Sequence, residues 1–203
     1  MGEVVGRPAL LVVDVQNGFV TSSSAHVVPV VAELVHAWLE TSHPVIFSRY
    51  INYPNSPYQR LMGWTGLLAP PDTDIIDVLQ PFTRHPGTRI VDKSGYTMLT
   101  ADGLAVLAEL EITEVMVCGI DTDGCVLKTV LDAFEHDITP WVLADACASS
   151  TTRQPAQQIH DSALMLLSRL VGARQIIDTT QALCKARNVT RELCTGHARV
   201  RTD

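Results

Sequence analysis

The sequence predicts an α/β protein of three layers, in which a doubly wound, mostly parallel sheet of six strands lies between helices. Short apolar runs alternate with amphipathic segments of roughly ten to fifteen residues, which is typical of right-handed βαβ units. No internal repeat, low-complexity block or linker divides the 203 residues. We therefore expect a single domain over 1–203, with its core at about 9–178 and a polar tail at 189–203.

Each predicted element follows from its apolar spacing. The first strand is almost continuously apolar, as expected of a strand buried on both faces of a parallel sheet. The predicted strands are at 9–15, 44–48, 88–93, 114–118, 139–144 and 174–177. The predicted helices are at 27–40, 101–110, 125–136, 159–170 and 179–188, with a further short helix at 74–79. Ser22–Ser24 are cap candidates for the first helix, and Thr100 for the helix that begins at Ala101.

A long irregular stretch, 49–71, carries four aromatic residues among prolines and glycines. A loop of this length in a compact domain is usually functional or disordered. Its aromatic content favours an ordered lid or pocket wall, and packing against the protein's own surface competes equally with that interpretation.

The composition limits the function classes. The chain is 46% hydrophobic and 18% charged, enough for a sizeable core, and its net charge of −7 provides no footprint for nucleic acid or anionic membranes. No apolar run approaches the ~20 residues of a membrane-spanning helix. The first residues lack the basic start and apolar core of a signal peptide, so the expected location is the cytoplasm.

Cysteine and motif usage narrow the chemistry further. The five cysteines, an odd number without a CxxC pair, are most simply free thiols in a reducing compartment. Dinucleotide, P-loop and nucleophile-elbow motifs are absent. The seven histidines form no close pair, so neither a metal nor a cofactor is expected.

Asp14, Lys93 and Cys125 each fall at or just beyond the carboxyl end of a predicted strand, and a doubly wound sheet brings those ends to one edge. There, Lys93 would stabilise a thiolate and the Asp14 charge, and Asp14 could take the thiol proton. The start of a helix would also favour the thiolate of Cys125. Plainer interpretations remain open: Asp14 caps the next turn, Lys93 is a surface lysine, and Cys125 is a small buried residue.

Three sequence blocks favour the catalytic interpretation of Asp14, Lys93 and Cys125, because together they resemble a known family. They are LLVVDVQNGF at 10–19, VDKSGYTML at 91–99 and VMVCGIDTDGCVLKTVLDAF at 115–134, followed by VLADAC at 142–147. In this order and spacing they resemble the isochorismatase-like superfamily of cysteine hydrolases, which includes nicotinamidases and N-carbamoylsarcosine amidases. The resemblance covers roughly residues 9–178 and implies the isochorismatase-like fold.

The resemblance also implies residue roles. Asp14 becomes the catalytic acid and base, Lys93 the third member of a triad, and Cys125 the nucleophile. A cis peptide is implied between Ile120 and Asp121, and the oxyanion hole carries over to the backbone amides of Asp121 and Cys125. The residues expected to contact substrate are Phe19, Gln16, Tyr96 and Trp64. On this basis Cys118 and Cys147 are inert, strand-associated thiols.

Two departures from the family pattern bear on specificity. Nicotinamidases place an Asp-x-His metal site after the second strand, where this chain has Tyr50 and Asn52, so the resemblance does not carry a metal over. Position 121 is a small apolar residue in many relatives and an aspartate here. Asp121 could repel an oxyanion, recognise a cationic group of the substrate, or point away and cap the helix.

The resulting hypothesis is a metal-free, cofactor-free cysteine hydrolase that cleaves an amide-type C–N bond of a small molecule through a Cys125 thioester. The alternatives are a vinyl-ether hydrolase that uses Asp14 as general acid, a catalytically silent binding module of the same fold, and a thiol-redox protein. The lack of a CxxC makes the redox role the weakest. By analogy with relatives, the chain is expected to form a homo-oligomer, either a dimer or a tetramer.

Overall fold

Six parallel strands form the centre of the protein in a computed structural model that describes residues 6–152 and 154–188. The strands are β1 (Pro8–Val13), β2 (Val45–Tyr50), β3 (Thr88–Lys93), β4 (Glu114–Ile120), β5 (Thr139–Ala148) and β6 (Ile176–Ile177). Their order across the sheet is β3-β2-β1-β4-β5-β6, and every pairing is parallel. The predicted doubly wound sheet is confirmed.

Helices cover both faces of this sheet. They are α1 (Val27–Leu39), α2 (Pro57–Met62), α3 (Gln80–Thr83), α4 (Ala101–Glu109), α5 (Leu127–Glu135), α6 (Ala156–Val171) and α7 (Thr179–Ala186). The helix α1 contacts α7, while α5 contacts α6. Right-handed crossovers that run in opposite directions from the sheet centre place these two pairs on opposite faces.

The direction of the sheet reverses between β1 and β4. The chain extends from β1 through β2 to β3 on one side, and from β4 through β5 to β6 on the other. All six residues of β1 are buried, as the continuous apolar run predicts. Ligands of such folds bind in the crevice at the carboxyl ends of the two strands beside this reversal. Those ends are Val13 and Ile120, directly before Asp14 and Asp121.

Close contact between β1 and β4 depends on Gly119. Its φ is +123°, and an added Cβ would lie 2.0 Å from the carbonyl oxygen of Val13, its neighbour in the ladder. Backbone atoms cannot yield to such a clash, so only glycine fits here. The two strands that flank the crevice are therefore held together by a residue without a side chain.

Several element predictions need correction. No helix forms at 74–79: Ile75 makes an isolated bridge to Gln16, and the short helix α3 follows at Gln80. The stretch 49–71 contains the helix α2, which is capped by Ser56 and ended by Gly63 in the left-handed region. Ser22–Ser24 do not cap α1, whereas Thr100 caps α4 as predicted, accepting a hydrogen bond from the Gly103 amide.

The boundaries of β5 and α6 extend beyond the predicted ones, and the predicted last strand begins as a short 3₁₀ turn, Ala173–Gln175. The predicted tail at 189–203 lies outside the described residues. Within the described ranges, no helix is long and apolar enough to cross a membrane.

The cysteines differ from one another. Cys118, Cys125 and Cys147 are buried free thiols, as expected. Cys184 is disulfide-bonded, so the expectation of free thiols throughout is wrong at that position. Cys194 lies outside the described residues.

Candidate active site

Asp14 is the first residue after β1, and it is completely buried. Its φ of +50° lies in the left-handed region, which aspartate enters more readily than most residues. Its backbone amide donates to Ser48 Oγ over 3.1 Å, and the Ser48 hydroxyl donates to Asp14 Oδ1 over 2.6 Å. Ser48 on β2 therefore fixes both the backbone turn and the orientation of the carboxylate.

Lys93, the last residue of β3, provides the countercharge. Its Nζ lies 2.5 Å from Asp14 Oδ2, and both side chains are fully buried. Oδ2 has no hydrogen bond of good geometry, so this contact is an ion pair. The ammonium also donates to the carbonyl oxygens of Gly95, over 2.9 Å, and Tyr96, over 3.0 Å. A buried charge pair of this kind is tolerated because each partner is neutralised and hydrogen-bonded.

Cys125 sits in a π-helical turn, Thr122–Val126, between β4 and α5. Its thiol lines a cavity, and the charges of Asp14 and Lys93 both act on it. Burial raises the pKa of Cys125 well above its ordinary value, and the Asp14 charge raises it further while Lys93 lowers it. Against the expectation that the helix start favours a thiolate, burial and the Asp14 charge together favour the protonated thiol.

Asp121 precedes that turn, and the Ile120–Asp121 peptide is cis, which confirms the expected geometry. The Asp121 side chain does not cap the turn. One carboxylate oxygen accepts a hydrogen bond from the Ser150 amide over 2.5 Å. Burial raises the pKa of Asp121 to about 6, opposed by hydrogen bonds from Ser150 and assisted by the charges of Asp123 and Asp14.

A cavity of about 650 Å³ opens above Cys125. Five aromatic side chains line it and form a continuous network with ring centroids 5.2–6.0 Å apart, within the range of favourable aromatic pairing. They are Phe19, Tyr50, Tyr58, Trp64 and Tyr96. The segment 49–71 thus contributes an ordered wall, which is the first of its two interpretations.

Three of the four residues predicted to contact substrate, Phe19, Tyr96 and Trp64, line this cavity. Gln16 does not. Its amide accepts from the Tyr50 amide over 2.7 Å and donates to the carbonyl oxygens of Tyr50 and Thr73 over 2.9 and 2.7 Å. Gln16 therefore ties the end of β2 to the turn after β1, and its side chain is completely buried.

Sequence reasoning missed Ser48 and Ser150, which hold the two carboxylates of the site. Ser48 is the only hydroxyl residue in the apolar run at 44–48, and that position could have marked it as a partner of a nearby carboxylate. The loop position of Ser150 offered no comparable signal. Tyr50 and Tyr58 were visible in the aromatic stretch, but their place beside Cys125 depends on how that stretch folds.

The residues where nicotinamidases hold a metal are otherwise engaged here. Tyr50 is buried within the aromatic network, and Asn52 donates to the carbonyl oxygen of Gly66 and accepts from the Tyr53 amide. Among the described residues, no group of three or more histidine, cysteine, aspartate or glutamate side chains is arranged to hold a metal. A phenol and a hydrogen-bonded amide do not fit that metal site, and we derive no step through one.

These features occur in a recognised protein family. The pattern of the isochorismatase domain matches residues 8–176, and the chain belongs to this family, in the class of isochorismatase-family hydrolases. An uncharacterised isochorismatase family protein of Bacillus subtilis, YddQ, is 26% identical over 188 residues, covering 87% of this chain and 98% of that protein. Nicotinamidase 3 of Arabidopsis thaliana is 27% identical over 165 residues, covering 79% of this chain and 80% of that protein.

Solved structures share the fold. A nicotinamidase from Bacillus subtilis superposes with a TM-score of 0.74 at 22% identity, covering 85% of this chain and 99% of that one. An N-carbamoylsarcosine amidase from Thermoplasma acidophilum superposes with a TM-score of 0.73 at 23% identity, covering 85% and 96% of the two chains. The isochorismatase-like fold expected from the sequence is confirmed.

Proposed function

We propose that the protein is a cysteine-dependent hydrolase that cleaves a C–N bond of a small molecule without a metal. One observation carries the proposal: the Cys125 thiol lines a cavity large enough for a small ligand and lies in the electric field of the buried Asp14–Lys93 ion pair. The names of similar proteins, nicotinamidase and N-carbamoylsarcosine amidase, support the C–N bond as the target.

The proposed reaction begins with proton transfer. As the sulfur of Cys125 attacks the carbonyl carbon, Asp14 accepts the thiol proton, and Lys93 holds the carboxylate in place. This order accounts for the raised pKa of the thiol, since the thiolate forms only as the new bond does. The backbone amides of Asp121 and Cys125 are the proposed donors to the oxyanion, a contribution of several kcal/mol in enzymes of this kind.

The C–N bond of the tetrahedral intermediate then breaks. Asp14 returns the proton to the leaving nitrogen, which departs as ammonia or an amine and leaves a thioester on Cys125. A water molecule gives its proton to Asp14 and adds to the thioester carbonyl. Collapse of this second intermediate expels the sulfur, which regains the proton from Asp14, so acid and thiol are restored.

The test is a panel of small amides, ureas and lactams, assayed with the wild type and with Cys125→Ala. We expect turnover of at least one compound by the wild type, an acyl adduct on Cys125 by mass spectrometry, and no turnover by the variant. Vinyl-ether hydrolysis predicts the reverse pattern, in which Cys125→Ala is active and Asp14→Ala is not. A silent binding module predicts slow, unselective alkylation by iodoacetamide and no turnover with any compound.

We further propose that the protein acts in the cytoplasm as a homo-oligomer, and that 1–203 is one domain. Three of the four described cysteines are free thiols, which suits a reducing compartment, and the family resemblance supports self-association. Light scattering coupled to gel filtration distinguishes a dimer or tetramer from a monomer, which would contradict this part of the proposal.

A further inference from the structure

The cavity wall carries one charged side chain among the described residues that line it, the carboxylate of Asp121. No cationic side chain of the described ranges lies within ion-pair distance of it. Its identified hydrogen-bond partner is the backbone amide of Ser150, which is neutral. A largely buried carboxylate whose partners among the described residues are all neutral is costly, and a cation brought by a ligand would offset that cost.

Space for such a cation exists beside Asp121. Gly124 lines the cavity, and a Cβ built on it would lie 3.6 Å from Asp121 Cβ and 3.8 Å from two carbons of the Tyr96 ring. The missing side chain of Gly124 therefore leaves a gap between a carboxylate and an aromatic ring. This pairing suits a cationic nitrogen, because the ring face attracts positive charge and the carboxylate neutralises it.

The neighbouring rings extend this environment. Tyr96 meets Tyr58 edge-on with ring centroids 5.2 Å apart, and Tyr58 meets Trp64 at 6.0 Å. Tyr96 is 43% exposed, so this part of the wall is reached from solvent, whereas Lys93 and Asp14 beneath it are fully buried. Because Lys93 and Asp14 neutralise each other, they do not counter the attraction of Asp121 for a cation at the mouth.

We propose that the cavity selects substrates that carry a cationic ammonium group, which binds between the Asp121 carboxylate and the Tyr96 ring beside Gly124. The inference rests on the proposed function for the position of the scissile carbonyl at Cys125. The substrate class is then a short amide with a positively charged nitrogen a few bonds from its carbonyl carbon. Asp121 is the specificity-determining residue of this class.

Binding to Cys125→Ala protein tests this without turnover. The probes are 2-(trimethylammonio)acetamide and its neutral isostere 3,3-dimethylbutanamide, which have the same shape and differ in charge. Isothermal titration should give the cation a dissociation constant lower by about tenfold or more, as expected for a carboxylate and a ring face acting together. Adding Asp121→Asn should reduce the ratio of the two constants to about threefold or less, given what a ring face alone contributes.

Asp123→Asn, added to the same Cys125→Ala background, is the matched control. Asp123 is an exposed carboxylate two residues away that does not line the cavity and hydrogen-bonds to Ser149. Because its charge also acts on Asp121, Asp123→Asn should change the ratio slightly and much less than Asp121→Asn does, which separates local recognition from a general effect of net charge. Gly124→Ala should weaken the cation more than the isostere, because its methyl group would approach Asp121 and Tyr96 at ordinary contact distance.

The outcomes separate this inference from the proposed function. Equal binding of the two probes by the Cys125→Ala protein, no measurable binding of the cation, or a preference that Asp121→Asn does not reduce would overturn the cationic site. Hydrolysis of neutral amides together with any of these results would leave the proposed function standing. Preferred binding of the cation without an acyl adduct on Cys125 would support the site and contradict the hydrolase.

Discussion

Asp14 and Asp121 are two buried carboxylates that directly follow neighbouring strands, and they differ in what neutralises them. Asp14 has Lys93 at 2.5 Å and the Ser48 hydroxyl at 2.6 Å. Asp121 is held by the backbone amide of Ser150, and burial raises its pKa to about 6. Both follow strands at the point where the sheet reverses direction, one after β1 and the other after β4.

The difference indicates a division of labour. The charge of Asp14 is already neutralised by Lys93. In the proposed reaction Asp14 can therefore exchange a proton with Cys125 without a charged group from the substrate. A carboxylate held by neutral groups remains sensitive to any charge that enters the cavity. The Asp14 arrangement suits a chemical step that is the same for every substrate. The Asp121 arrangement suits selection among substrates.

The largest expected effect is the loss of turnover when a residue of the proposed reaction, Cys125 or Asp14, is replaced. Cys125→Ala should reduce turnover by about 10⁴-fold or more, because the nucleophile is lost and the unit acts as a whole. Asp14→Asn should approach the same loss, whereas Asp121→Asn should change substrate preference with a much smaller loss for neutral amides. Steady-state rates with one neutral amide substrate measure all three. A comparable loss in Asp121→Asn would place that residue in the chemistry.

Removal of the internal cation should have the next largest effect. Lys93→Met leaves the buried Asp14 charge without its partner and should lower the free energy of unfolding by about 3–5 kcal/mol. The double variant Lys93→Met with Asp14→Asn removes both charges and should be more stable than the single variant. Urea denaturation followed by circular dichroism measures the difference. If the double variant is the less stable, Asp14 does not depend on Lys93 for neutralisation.

A structural prediction concerns the strands that position both carboxylates. Gly119→Ala introduces a Cβ 2.0 Å from the Val13 carbonyl oxygen at a φ of +123°. The strain and overpacking should lower the free energy of unfolding by roughly 3 kcal/mol. Gly95→Ala, where an added Cβ meets nothing within 4 Å, is the control and should change stability little. Equal stability of the two variants in urea denaturation would contradict close packing at Gly119.

The smallest expected effect concerns the pH dependence of Asp121. Its pKa is raised from 3.8 in the unfolded chain to about 6 in the folded protein, so the folded state binds the proton more tightly. The protonated Asp121 carboxyl therefore contributes to the free energy of unfolding in full below pH 3.8. This contribution is lost as the pH rises through about 6. The groups that act on Asp121 are Asp123, Asp14 and Ser150, and all three are unchanged in an Asp121→Asn variant.

Thermal unfolding of the wild type and Asp121→Asn between pH 4 and 8 tests this directly. The asparagine variant should be the more stable protein above pH 6, and its advantage should shrink toward pH 4. An advantage that does not change with pH would mean that the Asp121 carboxyl titrates normally in the folded protein.

Much of the fold, and the position of Asp14, Lys93 and Cys125 at one edge of the sheet, could be read from the sequence because the signals are local. Continuous apolar runs identify buried parallel strands, and residues directly after them must reach one edge of the sheet. The error at 74–79 shows the limit of this reasoning. Ile75 and Ile76 are buried there by a bridge to Gln16 and not by a helix, and that contact joins residues about sixty positions apart.

The sequence by itself determined the order of the strands, the three residues of the proposed triad and the presence of an unexpected acid at position 121. Only the tertiary structure decided what each carboxylate meets, since those partners come from distant elements. Ser48 and Lys93 reach Asp14 through the sheet, and Ser150 reaches Asp121 from the end of β5. The charge state of a buried group depends on its neighbours in space, and local sequence patterns do not encode them.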